Sequence, residues 1–198
     1  MEADFAVELG PQDETLELPW SAGEDGPRYY DLKRQPELLL EIEEARAWPE
    51  LGEFLAAVNA NSSLLETAKC DAWASTELNP EEEIFGAACK FCSYVDLLLS
   101  QWASRFSFTE HEQLVKRITQ LLKRVPEIPA AAELIVRRCF YHAAGGVENG
   151  FYLTFYLFGY GDDEPQARQR WGIALKLVEN AIRQISAGVD ASRANQSF

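Results

Sequence analysis

The sequence predicts an α+β fold: one predominantly helical domain, with about seven helices around a small, mostly antiparallel sheet. Three observations predict it. Residues 150–161 are the most aromatic stretch of the chain, carry no charge and are bounded by glycines. With period two they split into a Phe151, Leu153, Phe155, Leu157 face and a Tyr152, Thr154, Tyr156, Phe158, Tyr160 face, the pattern of a strand. Several longer stretches repeat apolar residues at i, i+3, i+4 and i+7, as helices buried along one side do. Finally, 198 residues without a repeat, a low-complexity tract or a linker are the size of one domain. That domain is assigned to residues 1–188, and the small polar residues 189–198 to a flexible tail.

From the N-terminus, Phe5, Val7 and Leu9 alternate with Ala6 and Glu8, and Leu16, Leu18 and Trp20 alternate around Glu17. The intervening Gly10-Pro11-Gln12-Asp13-Glu14 predicts a hairpin, with Phe5, Val7, Leu16 and Leu18 facing the core. Residues 21–28 are rich in Gly, Asp and Pro and read as a loop. Pro36 and Pro49 each suit the first turn of a helix, where no backbone donor is needed. They place helices over 36–48, with Leu38, Leu39, Ile42 and Ala45 inward, and over 49–60, with Leu51, Phe54, Leu55 and Val58 inward. The spacing Ser63-Leu64-Leu65-Glu66 is that of a capping box and predicts a short helix. Residues 68–75 are read as a strand, with Cys70, Ala72 and Ala74 on one face and Lys69, Asp71 and Trp73 on the other.

The sharpest helix start is Asn79-Pro80-Glu81-Glu82-Glu83: a capping Asn, a first-turn Pro and carboxylates at the positive end of the dipole. Ile84, Phe85, Ala88, Phe91, Cys92, Val95, Leu98, Leu99, Trp102 and Phe106 follow at helical spacing, so the longest helix is expected over 80–106. A second capping box, Thr109-Glu110-His111-Glu112, opens a helix through Leu114, Val115, Ile118, Leu121, Leu122 and Val125. Residues 130–143 begin with alanines and carry i, i+4 apolar pairs, which favours a helix. A strand hairpinned to 150–161 is the competing reading. The last helix opens at Asp162-Asp163-Glu164-Pro165, buries Ala167, Trp171, Ala174, Leu175, Val178, Ala181, Ile182 and Ile185, and is expected to stop at Gly188.

Apolar residues make up 47% of the chain and charged ones 25%, an ordinary soluble composition. No apolar run approaches the roughly 20 residues of a membrane helix. The start Met1-Glu2-Ala3-Asp4 is acidic, unlike a secretory signal, so a cytoplasmic protein without membrane attachment is expected. The net charge is −14, and it is lopsided: residues 1–90 hold 21 Asp and Glu against 6 Lys and Arg, residues 91–198 hold 11 against 12. An acidic surface excludes nucleic acid as a direct ligand, since phosphate contacts need a basic surface. It suits a basic protein partner, although acidic surfaces also serve simply to keep bacterial cytosolic proteins soluble.

Catalytic signatures are missing from the sequence. It contains no G-x-S-x-G elbow, P-loop, H-E-x-x-H or dinucleotide fingerprint, so neither a catalytic residue nor a cofactor is assigned. Cys70, Cys89, Cys92 and Cys139 are read as buried thiols. Cys89-Lys90-Phe91-Cys92 has the spacing of half a zinc site, but it falls within a predicted helix and lacks a second pair, so no metal is assigned. Alternation separates Cys70 from Lys69 and Asp71, its only would-be activators. His111 is expected to be exposed in the first turn of its helix and His142 to lie near a helix end, neither with a partner that would make it a general base.

The candidate binding residues are therefore of three kinds. Tyr152, Thr154, Tyr156 and Tyr160 offer contact area with polar handles. Glu37, Glu41, Glu44, Glu50 and Glu53 would line an acidic wall across two consecutive helices. Asp71, Arg138 and His142 would rim a pocket beside the tyrosine face. The Arg137-Arg138 pair suits a carboxylate, a phosphate or a neighbouring acidic face. The leading expectation is a non-catalytic acidic protein-binding module, of the toxin-neutralising (immunity) or adaptor kind, engaging a basic partner. The alternatives are a small-ligand binder or enzyme with a pocket beside Tyr152, Tyr156 and Tyr160, and a structural subunit of an assembly.

Overall fold

Residues 146–161 form one 16-residue strand, β6 (Gly146–Gly161), and the other elements are arranged around it. The structure, a computed structural model, describes residues 1–24, 26–143 and 145–196, with side chains as far as residue 189. β6 pairs antiparallel with β5 (Ala130–Ala143) on one side and with β4 (Cys89–Leu99) on the other. β3 (Leu65–Ser75) lies antiparallel to β4 and forms one edge of the sheet. The other edge is β1 (Glu2–Glu8) followed by β2 (Thr15–Leu18), both parallel to β5. The helices are α1 (Glu43–Ala47), α2 (Pro49–Val58), α3 (Phe108–Leu122) and α4 (Glu164–Gln196), with 3-10 segments at Pro36–Glu41, Pro80–Phe85 and Trp102–Phe106. With 39% of residues helical and 35% in strands, the expectation of a predominantly helical domain is corrected. The fold is a mixed α+β fold on a six-stranded mixed sheet.

The helices α2, α3 and α4 cover one face of that sheet. Leu153, Phe155 and Leu157 of β6, together with Phe91, Val95 and Leu97 of β4, meet Phe54, Leu55, Val115, Ile118, Trp171, Leu175 and Val178 in one core. Fully burying a side chain of this size contributes about 1.5–3 kcal/mol. Helix α4 lies directly on β6. A Cβ added at Gly159 would stand 2.3 Å from the Trp171 nitrogen and 2.4 Å from the Ala167 oxygen, so only glycine permits the approach. The Trp171 indole nitrogen donates to Ser93 Oγ at 2.8 Å across this interface. A smaller second cluster, including Leu16, Leu18, Leu98, Tyr141 and Tyr152, closes one end of the opposite face.

The largest correction concerns residues 80–106. The Asn79 capping box does form, but over a 3-10 turn that Gly86 ends at φ 58°. Strand β4 follows where the long helix was expected. Phe91, Val95, Leu97 and Leu99 face the helices, while Cys92 and Leu98 are buried on the other side. A strand buried on both faces reads as a nearly continuous apolar run, and such a run matches a helical template as readily as an extended one. In residues 130–143 the competing reading is the observed one: β5 and β6 are hairpinned through Gly146, whose φ is +121°.

At the N-terminus no hairpin forms. β1 and β2 run end to end along β5, and the intervening loop does not reverse the chain. Phe5 therefore packs against the main core, whereas Leu16 and Leu18 join the cluster on the opposite face. Residues 63–66 turn into β3 instead of starting a helix, with Ser63 Oγ accepting the Leu65 N–H at 3.1 Å. Helix α3 is capped by Ser107, not Thr109, and α4 continues through Gly188 to Gln196. Among the described residues no helix is long and apolar enough to cross a membrane.

Candidate binding surface

Period-two alternation points Tyr152, Thr154, Tyr156, Phe158 and Tyr160 away from the helices. The register brings matching residues beside them. Tyr156 lies between Tyr94 of β4 and Glu133 of β5, Thr154 between Asp96 and Ile135, and Phe158 between Cys92 and Ala131. On β3, Asp71 adjoins Tyr94 and Trp73 adjoins Cys92. The result is a ladder of rings across the sheet. Trp73 and Tyr94 have centroids 6.4 Å apart, Tyr94 and Tyr156 6.1 Å, Tyr156 and Phe158 6.4 Å, and Phe158 and Tyr160 6.4 Å. Phe85 stacks on Tyr160 at 4.1 Å and ends the ladder.

Both ends of this face are closed. Tyr160 is buried, and its hydroxyl donates to Glu82 Oε1 at 2.8 Å, a carboxylate that also pairs with Lys90. Tyr152 is buried in the second cluster. Between them the face is open. Tyr94, Tyr156 and Phe158 are half-buried, and Trp73 is 39% exposed.

Three cations already lie over these rings. Lys69 Nζ is 5.7 Å from the Tyr94 centroid, Lys90 Nζ 5.6 Å from that of Phe158, and the Arg137 guanidinium 5.8 Å from that of Tyr156. Arg137 is buried and held by three acceptors: Glu8 at 2.8 Å, Glu14 at 2.9 Å and Thr154 Oγ1 at 3.1 Å. The Thr154 hydroxyl in turn donates to Asp96 Oδ1 at 2.8 Å. Asp96 is 4% exposed. Burial pushes its carboxyl up to about 7, against the Thr154 hydrogen bond and the charges of Lys69 and Arg137, while Glu14 pushes it further up. Glu133 is also held above the usual carboxylate range, by burial first and then by Glu8, with Asp4 and Glu81 adding and Arg137 opposing.

The other expected site residues are dispersed. Glu50 and Glu53 turn toward α4, where Arg168 and Lys176 each meet them at 2.9 Å. Glu41 and Glu44 instead border a cavity beside β3, and Glu37 is exposed on the first 3-10 segment. Asp71 is exposed on the β3 edge, where its Oδ1 accepts the Ala72 N–H at 2.7 Å. Arg138 and His142 lie toward the far end of β5, His142 in contact with Glu17, with β6 and β4 between them and Asp71. Those three residues share no rim.

His111 is fully buried, not exposed. Its Nδ1 donates to the Ser107 carbonyl at 2.8 Å. Burial pushes its pKa down. Cys89 and Cys92, three apart on a strand, point to opposite faces and cannot share a metal. Among the described residues no group of His, Cys, Asp and Glu is placed to hold one. Burial pushes the Cys70, Cys92 and Cys139 thiols up to about 12, the wrong direction for a nucleophile.

Tyr94 and Trp73 on the open face, and the buried Asp96 beneath it, are the residues that sequence reasoning did not single out as part of a site. The signal was the alternation Lys90, Cys92, Tyr94, Asp96, masked by the helical reading of the same stretch. No family model matches the chain, and neither a curated protein nor a solved structure shows significant similarity to it.

Proposed function

We propose that this chain is a non-catalytic protein-binding module that receives a basic partner on the open part of its sheet face. The observation that carries the reading is the run Trp73, Tyr94, Tyr156 and Phe158, left accessible on a chain of net charge −14. Such rings provide large contact area at little conformational cost, and they accept arginine and lysine over their faces. Lys69, Lys90 and Arg137 do this within the chain itself. The negative field would raise the encounter rate with a basic surface. Immunity-type and adaptor roles both fit this description.

An octa-arginine peptide titrated against the protein, read by tryptophan fluorescence and calorimetry, tests it. Binding should weaken at least tenfold in Tyr94→Ala/Tyr156→Ala and, with less disturbance of the fold, in Trp73→Ala. It should also weaken as salt rises from about 50 to 500 mM, over which the Debye length shrinks about threefold. Equal binding of an uncharged peptide of the same length, or wild-type affinity in these variants, would refute the proposal.

A further inference from the structure

Next to the aromatic ladder, the loop at 26–32, the start of α1 and the edge strand β3 enclose a cavity of about 370 Å³. Its size lies at the lower end of the range for small-ligand sites, enough for a long side chain and its adjoining backbone. Trp20 and Tyr30 provide aromatic wall, and Leu32, Ile42 and Leu55 apolar lining. The indole of Trp20 is pinned, because its Nε1 donates to the Ala68 carbonyl at 2.7 Å.

The charges in the lining do not cancel. Both of its cations already lie over rings: Lys69 Nζ stands 5.8 Å from the Trp20 centroid and 5.7 Å from that of Tyr94, and the Arg28 guanidinium lies 5.6 Å from that of Tyr30. Of the three carboxylates, Glu43 has only the exposed Arg46 at 4.0 Å, a contact of little energetic weight. Among the described residues the side chains of Glu41 and Glu44 have neither an ion pair nor a hydrogen bond. A cavity with aromatic wall, apolar lining and two uncommitted carboxylates matches a planar cation on an aliphatic stem. The guanidinium fork suits carboxylates and its flat faces suit rings, whereas a compact ammonium uses only the charge. Lys69, between Trp20 and Tyr94, joins this cavity to the ladder, so a chain lying on the open face reaches it without leaving the surface.

We infer that this cavity takes an arginine side chain of the basic protein partner. The inference rests on the proposed reading of the sheet face, and the two fail separately. The probes are N-acetyl-L-arginine amide, its uncharged isostere N-acetyl-L-citrulline amide, and free L-arginine, followed by nitrogen–proton NMR. The arginine amide should shift the Trp20 indole and the amides of residues 67–70, and bind at least tenfold more tightly than the citrulline amide. Glu41→Gln/Glu44→Gln should weaken it at least tenfold, while Tyr156→Ala, whose ring lies outside the cavity lining, should leave it unchanged. Equal binding of the two amides, wild-type affinity in the glutamine variant, or no shift at Trp20 would overturn the inference. Free L-arginine binding more tightly than the capped amide would also overturn it, by assigning the cavity to a metabolite. If the amide behaves as expected while octa-arginine ignores the tyrosine substitutions, the cavity stands and the sheet-face reading falls.

Discussion

Replacing Asp96 by Asn should stabilise the protein at alkaline pH and leave it nearly unchanged in acid. The carboxyl is buried on the sheet face and its folded pKa is pushed from 3.8 up to about 7. The folded state therefore binds more protons than the unfolded state between roughly pH 4 and 7. Stability is lost as pH rises through that window and stays lost above it. Three units at about 1.4 kcal/mol each amount to about 4 kcal/mol by pH 8. Asn carries no charge to desolvate, and its Oδ1 can still accept the Thr154 hydroxyl, which donates to Asp96 at 2.8 Å. Urea unfolding of both proteins, followed by circular dichroism at pH 4, 5, 6, 7 and 8.5, measures the difference directly. The gap should grow from near zero at pH 4 to about 4 kcal/mol at pH 8.5. A gap independent of pH, or a less stable variant at pH 8.5, would refute the assignment of a raised pKa to this carboxyl.

Two further outcomes follow from the packing. Gly159→Ala would drive a methyl group into the Trp171 and Ala167 backbone, less than 2.5 Å away, and separate α4 from β6. The expected loss is about 3 kcal/mol or more, read as a lowered urea midpoint, and a variant as stable as the parent would contradict the close approach. His111 titrates opposite to Asp96. Its folded pKa is depressed by burial, so the unfolded state takes up the proton and stability is lost as pH falls below about 6.5. His111→Phe should flatten that acid limb in urea unfolding at pH 5 against pH 7, and an unchanged slope would show that the ring is not the titrating group.

The central strand was legible because its pattern is unambiguous at short range: alternating rings, no charge, a glycine at either end. The faces of β3 were legible from alternation alone, since Lys69, Asp71 and Trp73 do point away from Cys70 and Ala72. Helices α2, α3 and α4 were legible because each has one apolar face and one wet one. β4 was not, because most residues on both its faces are buried and the two periods could not be told apart. Asn79-Pro80-Glu81-Glu82 strengthened the error: a genuine cap signals where a helical turn begins but carries no information about how far it continues. The N-terminal error is of another kind. Alternation specifies which residues share a face of a strand, but not which strand it pairs with, and β1 and β2 found β5 instead of each other. The site was lost along with β4, because Tyr94 and Asp96 become neighbours of Tyr156 and Thr154 only when residues 89–99 are extended.

The placement of charge bears on the proposed partner more directly than the total of −14. Along the β1 edge, register sets Asp4 beside Glu133 and Glu8 beside Arg137, on the face that carries the ladder. Like charges on adjacent strands destabilise a sheet, and the pKa of Glu133 is raised by partial burial first and by Glu8 and Asp4 after it. Arg137 offsets part of this, but it is already committed to Glu8, Glu14 and Thr154. At the other edge Asp71 stands beside Tyr94, and Glu41 and Glu44 border the cavity beyond Trp20. The rings are therefore flanked on both sides by carboxylates. A basic surface laid across the ladder would relieve the repulsion at the β1 edge as it covers the rings. The repulsion at that edge and the proposed attraction for a cationic partner then have one origin, and Glu133→Gln should both stabilise the free chain slightly and weaken its hold on octa-arginine.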